Sequence, residues 1–168
     1  AGPDLIWLDD DLRVNNHTAQ YPCFCQKCIR EFNKLYSSSW NRETLVEILN
    51  SPSGDIWRKR WVEYNRDALR QLIKDIGAAV RGTGKNIRLG LMTCAPEYAS
   101  YGGSDIKGML EALEADMLRP GGGFYGDERL DEAVLKSYNA ARQCVMSGHS
   151  ADIQYELEDF PFQNEKSL

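Results

Sequence analysis

The chain has no apolar run near the roughly 20 residues that a membrane-spanning helix needs. It has no excess of basic residues: 20 Lys and Arg stand against 25 Asp and Glu, a net charge of -5. No Lys/Arg stripe is there to neutralise phosphates, which argues against a nucleic-acid partner. Gly121-Gly122-Gly123 lacks the Lys-Ser/Thr or G-x-G-x-x-G frame of a phosphate loop and reads as a flexible rim loop. No serine sits in a nucleophile-elbow pattern. No signal peptide, internal repeat, low-complexity segment or interior linker is visible. The 5 cysteines are odd in number and clustered, which does not suit a disulfide framework. Reduced thiols fit better and slightly favour a reducing, cytoplasmic setting.

What is present suits one domain over residues 1–168. Hydrophobic residues make up 42% and charged residues 27%, ordinary for a globular protein. Asp4 to Leu8 reads as a buried strand, and 12–28 as a loop. Helical spacing from Cys28 carries Ile29, Phe32, Leu35 and Tyr36. Asn41 caps a short helix with Leu45, Ile48 and Leu49. Asp55 starts the longest helix, whose expected apolar stripe is Trp57, Trp61, Tyr64, Ala68, Leu69, Leu72, Ile76 and Val80. Ile87, Leu89 and Leu91 alternate as a second strand. Ser104 is the expected cap of a helix turning Ile106, Met109, Leu110 and Leu113 inward. A short strand over Ala115 to Leu118 follows. The next helix carries Leu130, Val134, Leu135, Tyr138, Ala141 and Val145 on one side. Ile153 to Leu157 is the fourth strand. Strands separated by helices predict an α/β fold with a parallel sheet.

The strand exits hold the chemistry. Asp9, Asp10 and Asp11 close the first strand, and Glu156 and Glu158 close the fourth. Carboxylates on two strand ends are the minimum for cleaving a glycosidic bond. Such rims are where barrel enzymes build their sites. An aspartate triplet also suits a turn or a helix cap. Arg13 or Arg119 is placed to keep one carboxylate ionised. Tyr98, in the exit loop of the second strand, suits a sugar platform. Trp57 and Trp61, on a helix stripe, suit the core.

Cys23-Phe24-Cys25-Gln26-Lys27-Cys28 reads C-x-C-x2-C, and thiolates this close can converge on one Zn2+. His17 is the nearest further candidate ligand. The run continues into Ile29-Arg30-Glu31-Phe32, then Leu35, Trp40, Leu45 and Leu49-Asn50. Together these resemble glycoside hydrolase family 42, the β-galactosidase family. There the cysteine run follows the fourth barrel strand and supplies three of four ligands to a structural zinc. The fourth ligand is a cysteine upstream of that strand.

The resemblance implies a partial (β/α)8 TIM barrel, with the four strands here resembling the fourth to seventh. It implies a retaining β-galactosidase-like hydrolase, or a fragment of one, acting on a carbohydrate substrate. Glu158-Asp159-Phe160-Pro161 resembles the family's E-x-x-P, which makes Glu158 the expected nucleophile. Where the family has Asn-Glu, this chain has Asp9-Asp10-Asp11. Asp10 or Asp11 then takes the acid/base role, with Asp9, Arg13, His17, Tyr98 and Glu156 binding substrate. The alternative is a catalytically inactive relative that binds carbohydrate or protein. Four strands leave two sheet edges open, so self-association through those edges is also expected.

Overall fold

The computed structural model describes residues 2–10, 12–14, 23–93, 102–120, 138, 142, 145 and 151–154. Its elements are β1 (Leu5–Leu8), α1 (Gln26–Tyr36), α2 (Arg42–Asn50), α3 (Asp55–Arg81), β2 (Arg88–Met92), α4 (Ile106–Leu113), β3 (Met117–Arg119) and β4 (Asp152–Ile153). Tyr138, Arg142 and Val145 are also helical.

All four strands are parallel and lie in the order β1-β2-β3-β4. Chain order equals spatial order, so each crossover moves one place in the same direction. Right-handed crossovers of that kind carry every helix to one face. The main core agrees. Leu69 and Ile73 of α3 and Ile106, Met109, Leu110 and Leu113 of α4 bury Leu8, Leu89, Leu91 and Leu118 of the strands. The strand order has no reversal among the described strands. A doubly wound sheet requires one.

The register sets the other face. Trp7, Gly90, Met117 and Asp152 are matched across the sheet, as are Leu5 with Arg88 and Met92 with Arg119. Side chains alternate along a strand, so these residues point away from the helices.

A second, aromatic core lies beside α1 and α2. Phe32 is fully buried among Trp57, Trp61, Tyr36 and Tyr64. Asn41 caps α2 by accepting from Thr44 N at 2.8 Å, and Thr44 Oγ1 accepts from Asn41 N at 3.1 Å. At the other end of α2, Arg58 donates to Leu49 O and Ser51 O, both at 2.7 Å, and pairs with Asp55. One guanidinium thus satisfies carbonyls at a helix end that lacks later amides. Arg58→Ala should cost about 1.5 kcal/mol in chemical denaturation, the low end of the range for hydrogen bonds to a charged group, because the side chain is 39% exposed. Arg58→Lys should recover only part, because one ammonium does not reproduce the planar fork.

Several expectations shift. α1 starts at Gln26, not Cys28, so the preceding loop is shorter. Along α3 the buried line is Trp61, Asn65, Leu69, Ile73 and Gly77, while Leu72 is 47% exposed. Asn65 and Gly77 are not apolar, which hid this line from the hydrophobic pattern. Asn65 satisfies its buried amide on Trp61 O at 2.8 Å. Leu35 of α1 is 57% exposed. The N-cap of α4 is Asp105, held by Arg70 of α3, and Ser104 is buried before it. The four inward residues of α4 are all buried as expected. Tyr138 and Val145, expected on an apolar side, are 62% and 75% exposed.

Candidate functional site

Two sites emerge from the described residues. The first is the rim where the strands exit. Asp9 and Asp10 follow β1 directly. Leu12 N donates to Asp9 O at 3.2 Å, so the chain turns as it leaves the strand. Val14 N donates to Gly102 O at 3.0 Å, tying this turn to the segment before α4. Arg119, at the end of β3, brings Nη2 to 3.8 Å from Asp10 Oδ2. The Arg119 side chain is only 13% exposed and that of Asp10 34%. The ion pair is therefore partly withdrawn from solvent, where charge attraction is screened less than at the open surface. Arg13 is half-buried in the same turn.

Thus the structure gathers Asp9, Asp10 and Arg13 at one strand exit and adds Arg119 from two strands away. Asp11, His17, Tyr98, Glu156 and Glu158 lie outside the described residues. The separation between the two acidic strand ends falls outside with them. A hollow of about 560 Å³ lined by Phe24, Ile29, Asn33, Trp40 and Arg42 opens beside α1 and α2 and takes in none of the rim residues.

The second site is the cysteine run at the start of α1. Cys23, Cys25 and Cys28 hold their sulfurs within 4.8 Å of one another. Cys25 Sγ and Cys28 Sγ are 3.5 Å apart, and all three thiols are free. The sequence produces this by helix geometry. Cys25 is the N-cap of α1, and a residue three positions on returns to the same side of the helix. The C-x-C turn brings Cys23 back over that end.

The thiols differ electrically. The Cys28 backbone amide, then the neighbouring Cys23 and Cys28 thiols, pull the Cys25 pKa down to about 7. That amide faces the sulfur without closing a formed capping hydrogen bond. Burial, then the Cys25 and Cys23 thiols, push Cys28 up to about 12. Tyr64, against Cys28, is raised to about 12, first by burial and then by the thiolate charge beside it. Three thiols this close can lose their protons to a shared cation. The three cysteines could hold a metal ion.

Phe24, between two of the cysteines, anchors the loop. Its ring stacks on Trp61 at 4.8 Å, and its carbonyl accepts from Arg42 Nε at 3.0 Å. Sequence reading passed over Phe24, although a large apolar residue inside a polar cysteine loop is itself the signal. Comparison with known protein families, curated proteins and solved structures finds no match.

Proposed function

We propose that this chain is the central part of a (β/α)8 barrel of the glycoside hydrolase type, with a structural zinc stapling the loop after β1. The observation that carries this reading is the strand order. A parallel sheet in chain order with α3 and α4 on one face is the local pattern of a singly wound barrel. Its strand exits carry Asp9, Asp10 and Arg119 together.

On this reading the substrate is a glycoside bound at the exit rim. Glu158 attacks the anomeric carbon. Asp10 or Asp11 gives a proton to the departing oxygen, then takes one from the water that displaces Glu158 from the anomeric carbon. Arg119 holds the Asp10 carboxylate in place, with Nη2 3.8 Å from Oδ2. Asp9, Arg13 and residues from the exit loops bind hydroxyls.

The zinc reading rests on the donor set. Tetrahedral Zn–S bonds of about 2.3 Å place sulfurs about 3.8 Å apart. The Cys25–Cys28 separation of 3.5 Å is close to that spacing. Cys23, Cys25 and Cys28 would hold the ion, with His17 the nearest further candidate in the sequence. Zinc there fixes the loop and neutralises the thiolates, with no part in bond cleavage.

Glu158→Gln in the full encoded protein tests the catalytic reading. Aryl β-galactoside hydrolysis should fall by at least about 10³-fold, as when a covalent nucleophile is removed. Asp10→Asn should also lower the rate, and an activated leaving group should restore part of it. Hydrolysis at the wild-type rate in Glu158→Gln ends this assignment. One observation favours a second reading, a carbohydrate-binding relative without catalysis: the chain has Asp9-Asp10-Asp11 where Asn-Glu is expected. Sugar binding by a wild-type protein that turns nothing over would select it.

A further inference from the structure

The face of the sheet opposite α3 and α4 carries an arrangement used neither by the acids nor by the cysteines. Trp7 of β1 is in register with Gly90 of β2. A Cβ added to Gly90 would lie 2.2, 2.5 and 2.6 Å from Trp7 Cε3, Cζ3 and Cδ2. Three near-equal distances mean that the six-membered ring lies across Gly90 by its face rather than its edge. Any larger residue at 90 would push the indole off β2. Glycine weakens a strand interior, so its presence mid-strand calls for a close approach of this kind.

The ring is half-buried, and Leu5, Met92 and Met117 lie on the same face. Arg88 and Asp152 point to the same face and pair at 2.9 Å, with side chains 49% and 69% exposed. The face is open to solvent around this pair. Toward the exits, Met92 and Arg119 are matched on the same face, and Arg119 reaches Asp10 at 3.8 Å. A flat aromatic surface thus lies one residue row below the charged rim.

We propose that Trp7, seated on Gly90, is the stacking floor for a pyranose ring bound at the rim, and so a specificity-determining residue. The inference rests on the rim being a carbohydrate site. A pyranose presents polarised C–H groups on one face and hydroxyls around its edge. The indole face carries the negative side of the ring quadrupole and attracts those C–H groups. Arg119 and the aspartates satisfy hydroxyls with charge-assisted hydrogen bonds. A sugar whose apolar face is interrupted by an axial hydroxyl fits less well, so Trp7 selects ring configuration.

The test uses methyl β-galactoside and methyl β-glucoside with the full chain, read by saturation-transfer NMR and calorimetry. Wild type should bind at least one of them, with saturation strongest on the ring protons of one sugar face. Trp7→Ala should weaken binding about tenfold or more, the scale of a stacked ring contact. Trp7→Phe should stay within about threefold, because a ring remains. Gly90→Ala should weaken binding like Trp7→Ala without altering the indole itself. Circular dichroism identifies the folded variants; if Trp7→Ala does not fold, Trp7→Phe and Gly90→Ala decide. Unchanged affinity in folded Trp7→Ala or Gly90→Ala, even with reduced thermal stability, overturns the stacking role and leaves the carbohydrate reading standing. No binding of either sugar by wild type overturns both.

Discussion

Phe32→Ala is expected to lower the unfolding free energy by about 3–5 kcal/mol, the range for deleting a buried aromatic ring. Phe32 has no exposed surface and touches four rings. Its centroid lies 4.8 Å from Trp61 and 4.9 Å from Tyr36, with Tyr64 and Trp57 at 5.7 and 6.2 Å. These rings come from two helices that pinch the side chain between them, so the cavity has little means of collapse. The loss is a large share of the 5–15 kcal/mol typical of a domain. Leu35, on the same helix but mostly exposed, is the control. Leu35→Ala should stay within about 0.5–1 kcal/mol. Urea unfolding followed by tryptophan fluorescence measures both. Equal midpoints for the two variants would remove the aromatic cluster as a source of stability.

The second large effect concerns the cysteine loop. Chelator-treated protein should gain thermal stability when zinc is returned, by about 4 kcal/mol with free zinc a thousandfold above its Kd. The gain should vanish in Cys25→Ser and Cys28→Ser, which remove the pair held 3.5 Å apart. Cys94 and Cys144 are the remaining cysteines, and Cys144→Ser should leave the gain intact. The argument is electrostatic. Three sulfurs within 4.8 Å cannot all ionise cheaply without a cation, because like charges that close repel. Scanning calorimetry with and without zinc provides the measurement. A zinc-dependent gain that survives Cys28→Ser places the ion elsewhere.

The element order was legible because each strand is a compact apolar run between polar punctuation. Leu89 and Leu91, and the inward set of α4, follow directly from alternation and helical spacing. The inner line of α3 was legible at Trp61 and Leu69, which are buried as expected, and only in part beyond them. It runs through Asn65 and Gly77, which are buried for reasons of fit and hydrogen bonding rather than hydrophobicity. Gly77 lets α4 approach: a Cβ there would come within 3.3 Å of Leu113 O. The Asp105 N-cap was not legible because its carboxylate pairs with Arg70, 35 residues away, and closes no capping hydrogen bond. At the site, clustering of the cysteines was visible from spacing alone. The meeting of Asp10 with Arg119 required the strand order, which periodicity does not encode. The same holds for Trp7 and Gly90, whose pairing depends on register.

The length of α3 has a mechanical consequence. Its 27 residues extend about 40 Å at 1.5 Å per residue. Its first half, with Trp57, Trp61 and Tyr64, is packed into the aromatic cluster below the cysteine loop. Its second half, with Leu69, Ile73, Ile76 and Val80, is packed against the sheet. Among the described elements it alone belongs to both. It acts as a beam clamped at each end in a separate apolar block. Among the described elements, tightening the cysteine loop reaches the strands through this beam, so the bending stiffness of one helix bears on how firmly the loop is aligned with the rim.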